Sequence, residues 1–282
     1  MAGFPLRDTG TAQPPPTRFT LARRQWRRYN ADIMPTPFTH LETAQRLLQD
    51  PLLPAQVRTG LAQERGAFLL GSVAPDARMD GLTRDDTHFY AYTSAITRPP
   101  WRVMLDEFPV LIPPHSAAHR AFLAGYAAHL AVDVVWTVEM LGPHFATGSW
   151  GESRPFRFLM LHVLLIHMDE RDLAALQPWQ PATLAKAQPD SWLPFLTDTV
   201  LADWRDFIYQ QIKADGESQT LAVFGARINK TPDDLRAILD SPQQMQAGLW
   251  DNIPRETLAE IEARMYASAR VEMTHYWDES EP

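Results

Sequence analysis

Cysteine is absent from the 282 residues, which excludes disulfides, thiolate nucleophiles and cysteine-ligated zinc sites. Any metal site must therefore use His, Asp, Glu or backbone atoms, and nine histidines are available. Long apolar runs are also scarce. The best stretch, Ala121 to Val138, is interrupted by His129 and Asp133, each costly in lipid, so a buried helix is expected and no transmembrane span. The N-terminal residues lack an apolar core followed by a small-residue cleavage site, so no secretory signal is expected and a cytoplasmic location is the reading. No stretch alternates apolar and polar residues as a half-buried strand does, and no internal repeat is visible. Nucleophile elbow, P-loop, dinucleotide fingerprint, His-Glu-x-x-His and the Glu-x-x-His pairs of di-iron bundles are all missing.

What is present suits a globular protein with a sizeable core: 45% hydrophobic and 21% charged residues, in one or two domains. The net charge is −8, unevenly spread. Up to Ile33 six arginines face Asp8 and Asp32, a net of +4, so the remainder carries −12. An acidic body argues against binding a nucleic-acid backbone, which needs clustered Lys and Arg. Residues 1–33, with Pro14, Pro15 and Pro16 ahead of Arg23, Arg24, Arg27 and Arg28, read as a disordered basic tail or as lying upstream of the true start. A basic arm for acidic lipid or nucleic acid is the functional alternative.

From Met34 the pattern is helical, and the fold class is all-α. Thr39 and Glu42 form a capping-box signature ahead of an apolar face made by Leu41, Ala44, Leu47 and Leu48. A second helix is predicted from Pro54 to Leu70, stopping at Gly71, with Gly71 to Asp76 as a loop and another loop carrying Asp85, Asp86 and His88. Further helices are expected over Trp101–Glu107, Ala117–Leu141 (ending at Gly142-Pro143), Phe156–Leu176, Leu193–Lys213, Pro232–Leu239 and Pro254–Tyr276. Residues 34–214 read as the main domain and 215–282 as a helical C-terminal extension. In that extension Arg255, Glu256, Glu260, Glu262 and Arg264 read as a solvated face.

The sharpest local signal is His129-Leu130-Ala131-Val132-Asp133. A spacing of i and i+4 puts imidazole and carboxylate on one helix face, and these are ligands zinc accepts when thiolates are missing. Alone, the pair reads equally as a buried hydrogen-bonded His–Asp couple. Three more polar residues stand in apolar surroundings: His40 at the start of the first helix, Asp76 after Pro75, and His88 between Thr87 and Phe89. Individually, His40 could be a surface residue and Asp76 a turn residue.

Taken in order, Phe38-Thr39-His40, Gly71 to Asp76, Thr87-His88-Phe89 and Phe122 to Asp133 resemble the zinc-dependent phospholipase C family, from about Pro35 to Leu176. That family is similar in its metal site to P1/S1-type nucleases and to the catalytic domain of glycosylphosphatidylinositol-specific phospholipase D. The resemblance implies that His88, His129 and Asp133 hold one zinc, and that Asp133 bridges to a second zinc on His40. Asp76 would stand beside the pair as general base or further ligand. It also implies attack on phosphorus by water that the metal ionises near neutral pH.

Relatives also use a free N-terminal amine at the first-histidine site. Met34 precedes Pro35, so the expectation is that translation begins at Met34 and Pro35 supplies that amine. The alternative is a genuine 1–33 tail with water completing the site. The family's third-metal histidine after the helix Asp is replaced here by Thr137 and Glu139. The later His-xxx-Glu is missing too, since Ile166 follows His162 and Arg171 follows His167 at that spacing. Glu139, His144, His162 and Glu170 are the candidates to rebuild it, against plain readings of Glu139 as solvated and His162 as a satisfied core residue. Two zinc ions are the expectation.

Trp101, Trp136 and Trp150 are candidates to line a pocket, with simple packing as the commoner role. His115, His119 and His275 lack companions and read as surface or structural. The expected function is a phosphoester hydrolase acting on a phospholipid or a soluble headgroup ester. A single-strand nuclease and a non-catalytic helical protein stapled by its metals are the alternatives.

Overall fold

The computed structural model describes residues 36–280, so Met34, Pro35 and the 1–33 segment lie outside the described residues. Among the described residues every regular element is a helix. In chain order these are α1 (Pro37–Leu47), α2 (Ala55–Gln63), α3 (Arg65–Val73), α4 (Arg84–His88), α5 (Pro100–Glu107), α6 (Ala117–Val135), α7 (Arg154–Ala175), α8 (Gln180–Leu184), α9 (Asp198–Ile212), α10 (Thr220–Arg227), α11 (Pro232–Leu239), α12 (Pro242–Met245) and α13 (Arg255–Glu279).

The axis of the molecule is α6, buried on nearly all sides from Ala121 to Asp133 as its Ala, Leu, Phe and Val content requires. Its start is set by Ser116, whose hydroxyl accepts the amide of His119 at 3.1 Å. It packs most extensively against α3 and α13. The approach to α3 is close because two glycines face each other. A Cβ on Gly71 would lie 1.9 Å from the Phe122 carbonyl, and one on Gly125 2.3 Å from the Phe68 carbonyl. On the other side α13 buries Leu258, Ile261, Met265, Ala269, Met273 and Tyr276, the three- and four-residue spacing of one helix face. The stretch Ala117–Ala146 has the length and apolar character of a membrane span, but most of its apolar window is buried inside the protein, which is the position of a core helix.

Several local expectations are corrected. The first helix begins three residues earlier than the Thr39 signature suggested: Thr36 is the extended cap and Pro37 opens the helix, where its missing N–H costs nothing. Thr39 instead turns inward and donates to Asp172 Oδ2 at 2.6 Å. The predicted 54–70 helix is two helices, broken at Glu64 (φ −112°, ψ 37°). Gly71 does not stop α3, because a residue without a Cβ is needed there for the approach to α6. The Gly71–Asp76 loop is therefore the end of α3 plus a 3-10 turn over Ala74–Asp76. The loop holding Asp85, Asp86 and His88 is α4, started by a capping box between Thr83 and Asp86. Gly142-Pro143 does not end the long helix either. The chain continues as a π-helix over Trp136–Ala146, and Thr147 N bonds Gly142 O at 3.0 Å. Pro143 is tolerated in this wider winding, which departs from the i→i−4 ladder a proline would break. The expected Leu193 start also moves, to Asp198 behind the Thr197 cap.

Candidate metal centre

One turn of α6 separates His129 from Asp133, and His129 Nε2 lies 3.6 Å from Asp133 Oδ2. Three other segments bring side chains to this pair. The first turn of α1 contributes His40, whose ring stacks on His129 with centroids 3.6 Å apart and whose Nε2 is 3.4 Å from Asp133 Oδ1. The end of α4 contributes His88, with Nε2 3.2 Å from Asp133 Oδ2 and 3.7 Å from Asp76 Oδ1. Asp76 comes from the 3-10 turn after α3. The side chains of His88, His129 and Asp133 are 0% exposed, His40 1% and Asp76 10%, so any opening of the cluster is on the Asp76 side.

Each of these positions has a local cause. Helix α4 is closed by Phe89 in the left-handed region (φ 60°, ψ 25°), which ends it at His88. Asp76 follows Pro75 in the first turn of the 3-10 segment. The Val73 carbonyl just before it is capped by Trp204 Nε1 at 2.7 Å. Arg78 holds the same turn from the other end, donating to the Pro75 carbonyl at 2.7 Å and the Ala77 carbonyl at 3.1 Å, with its Nη2 3.9 Å from Asp76 Oδ1.

The donor set fits a divalent cation. His129 Nδ1 contacts the Ser72 carbonyl at 2.8 Å, and His88 Nδ1 lies 3.2 Å from the Arg84 carbonyl. A carbonyl can only accept, so the ring hydrogens sit on Nδ1 and both Nε2 lone pairs face the centre. His88 Nε2, His129 Nε2 and Asp133 Oδ1 are buried with no hydrogen-bond partner, which native proteins rarely leave without a reason. Two overlapping sets, His40–His129–Asp133 and Asp76–His88–His129, have ligand atoms within 4.8 Å of one another.

The electrostatics agree. Burial and the Arg84 charge pull His88 down to about 3, so its imidazole is neutral at pH 7, the form that ligates. Burial alone would raise Asp133, but His129, His40 and His88 hold it well below the usual carboxylate range. Burial likewise works against a charged His129, yet Asp133 and Asp76 outweigh it and raise that histidine.

The five residues His40, Asp76, His88, His129 and Asp133 are therefore brought together, while Pro35 lies outside the described residues. The third-site candidates are not gathered: among the described residues neither ligand set includes Glu139, His144, His162 or Glu170. Glu139 pairs with Arg264 and Glu170 with Arg236. His162 Nδ1 bonds the Phe158 carbonyl at 2.6 Å, and the His144 carbonyl accepts from Trp150 Nε1 at 2.6 Å. Of the tryptophans, Trp136 is core. Trp101 lines a 240 Å³ cavity with Ala131, Val134 and Glu272, and its Nε1 donates to Glu272 Oε2 at 2.7 Å. His119 is structural, tied to the Trp192 carbonyl at 2.9 Å.

Sequence reasoning missed the supporting shell of Ser72, Arg78, Arg84 and Tyr90. Arg84 carried a usable signal, since it precedes His88 by one helical turn.

Residues 39–170 match the family model described as zinc dependent phospholipase C, a span that contains all five clustered residues. No curated protein and no solved structure matches the chain.

Proposed function

With residues 39–170 carrying the zinc-dependent phospholipase C family pattern as the premise, we propose that this protein is a zinc-dependent phosphoester hydrolase that cleaves a phospholipid or a soluble headgroup ester. The observation that carries the reading is the division of one carboxylate. Asp133 turns Oδ1 to His40 at 3.4 Å and Oδ2 to His88 at 3.2 Å, the arrangement of a bridging ligand between two cations. In this proposal His88, His129, Asp76 and Asp133 would hold one zinc, and His40 with Asp133 would hold the other. The bound metals would supply a water ionised near neutral pH and positive charge against the phosphoryl oxygens.

The chain's own residues do the rest. Asp76, the one member of the cluster with some solvent exposure, takes the proton of the attacking water. Arg78 keeps the Asp76 carboxylate in place through its bonds to the turn carbonyls. The buried imidazoles of His88 and His129 stay in the Nδ1–H form, because Arg84 and Ser72 carbonyls accept those hydrogens. A single-strand nuclease is disfavoured by the net charge of −8.

A second reading is favoured by one observation, the near-complete burial of four of the five residues. A closed site of that kind could staple the fold without catalysis. Turnover separates the two. Purified protein is assayed on p-nitrophenyl phosphorylcholine, a plain phosphomonoester and single-stranded DNA, with and without chelator. Chelator-sensitive hydrolysis of an ester, lost in Asp76→Asn, supports the hydrolase. Metal uptake with no turnover on any of the three supports the staple.

A further inference from the structure

Arg84 sits inside the metal centre without being a ligand. Its side chain is 5% exposed and its Nη2 lies 3.4 Å from Asp133 Oδ2, the oxygen that also faces His88. Its own backbone carbonyl is the acceptor 3.2 Å from His88 Nδ1. One residue thus touches two of the four residues on that side of the cluster, Asp133 and His88, and neither contact involves His40.

The guanidinium is clamped. Nη2 donates to Tyr90 Oη at 2.6 Å and Nη1 to the Tyr90 carbonyl at 3.2 Å. The Tyr90 and Tyr92 rings stand 4.4 and 4.2 Å from its central carbon. Tyr90 Oη is tied in turn to Thr137 Oγ1 at 3.1 Å, one turn beyond Asp133. A cation buried this deeply is costly unless a carboxylate compensates it. Among the described residues Asp85 also comes near, at 3.8 Å, and is 53% exposed.

We propose that Arg84 is a positioning residue that makes the two metal positions unequal, loosening the ion on the Asp76–His88 side while leaving the ion on the His40 side tightly held. The proposal rests on the two-ion reading above. A charge-assisted hydrogen bond draws electron density from Oδ2, and a fixed positive charge repels a second cation on the same oxygen. Oδ1, turned toward His40, is the oxygen farther from the guanidinium and feels both effects less. The loosely held ion keeps more of its charge for water and phosphate, so the asymmetry places the stronger Lewis acid beside Asp76.

The test reads metal binding and needs no activity. Metal-free full-length protein is titrated with Zn²⁺ by calorimetry and with Co²⁺ by visible absorption. The wild type is expected to bind in two steps at least about tenfold apart, and Arg84→Gln to tighten the weaker step by about tenfold or more with the stronger step unchanged. Arg84→Lys, which restores the charge, should restore the separation. If Arg84→Gln fails to fold, Tyr90→Phe carries the test. It frees the guanidinium from its anchor and should narrow the gap between the steps. Two wild-type ions bound with one indistinguishable affinity, or equal weakening of both steps in Arg84→Gln, would overturn the proposal and leave the hydrolase reading standing. A wild type that takes up no metal overturns both.

Discussion

His40 and His129 lie ring on ring, with planes 13° from parallel and centroids 3.6 Å apart. One belongs to the first turn of α1 and the other to the middle of α6, so their contact fixes where two distant helices meet. Asp133 is seated between the ligands of both sides, and the first expectations concern these residues.

On the proposed two-ion site, Asp133→Asn should abolish binding of both metals, because an amide would be a weaker donor to either ion. His40→Ala should cost one ion and spare the other. Elemental analysis of the purified variants checks this. Retention of both ions in Asp133→Asn would remove the bridging assignment.

Chelation should lower thermal stability as well as activity. A ligand present at about a thousand times its dissociation constant stabilises the folded state by about 4 kcal/mol, which for a chain of this size is about 10 °C in Tm. Differential scanning fluorimetry with and without chelator measures the shift. Readdition of zinc should reverse it.

The close approach of α3 and α6 is expected to tolerate no side chain. Gly71→Ala would drive a methyl to 1.9 Å from the Phe122 carbonyl, and Gly125→Ala would meet the Phe68 carbonyl. Destabilisation of about 1–3 kcal/mol or more is expected for each, read by urea unfolding. Because the same approach lets His129 Nδ1 reach the Ser72 carbonyl at 2.8 Å, metal affinity should also fall, by about 10- to 100-fold.

A pH effect is expected at a buried carboxylate outside the five-residue cluster. Burial lifts Asp169 to about 7, against the hydrogen bonds from Thr220 and Ser218. The unfolded carboxyl ionises near its ordinary value of 3.8. Between these limits the folded state keeps a proton that the unfolded state has lost, and stability falls as pH rises. Asp169→Asn should therefore be more stable than wild type at pH 8, by at most about 4 kcal/mol, with the difference closing toward pH 4. Urea titrations across that range decide it. A difference constant with pH would contradict the burial of an ionisable group there.

Much of this was legible in the chain itself. The His129–Asp133 spacing, the apolar flanks of α6 and the Pro232–Leu239 helix depend on neighbours within a few residues, and periodicity reports them directly. The helix start near Thr39 and the stop expected at Gly71 were misread because their outcome depends on distant partners. Thr39 found Asp172 across the interior, and Gly71 was needed by Phe122 rather than by a turn.

The order and chemistry of His40, Asp76, His88, His129 and Asp133 are properties of the sequence, because ligand type and helical spacing are local. Which oxygen of Asp133 faces which imidazole, and that Arg84 stands against one of them, were decided by the tertiary structure. Those relations are set by the packing of α1, α3, α4 and α6 against one another, and a packing distance between helices has no counterpart in the spacing of residues along the chain.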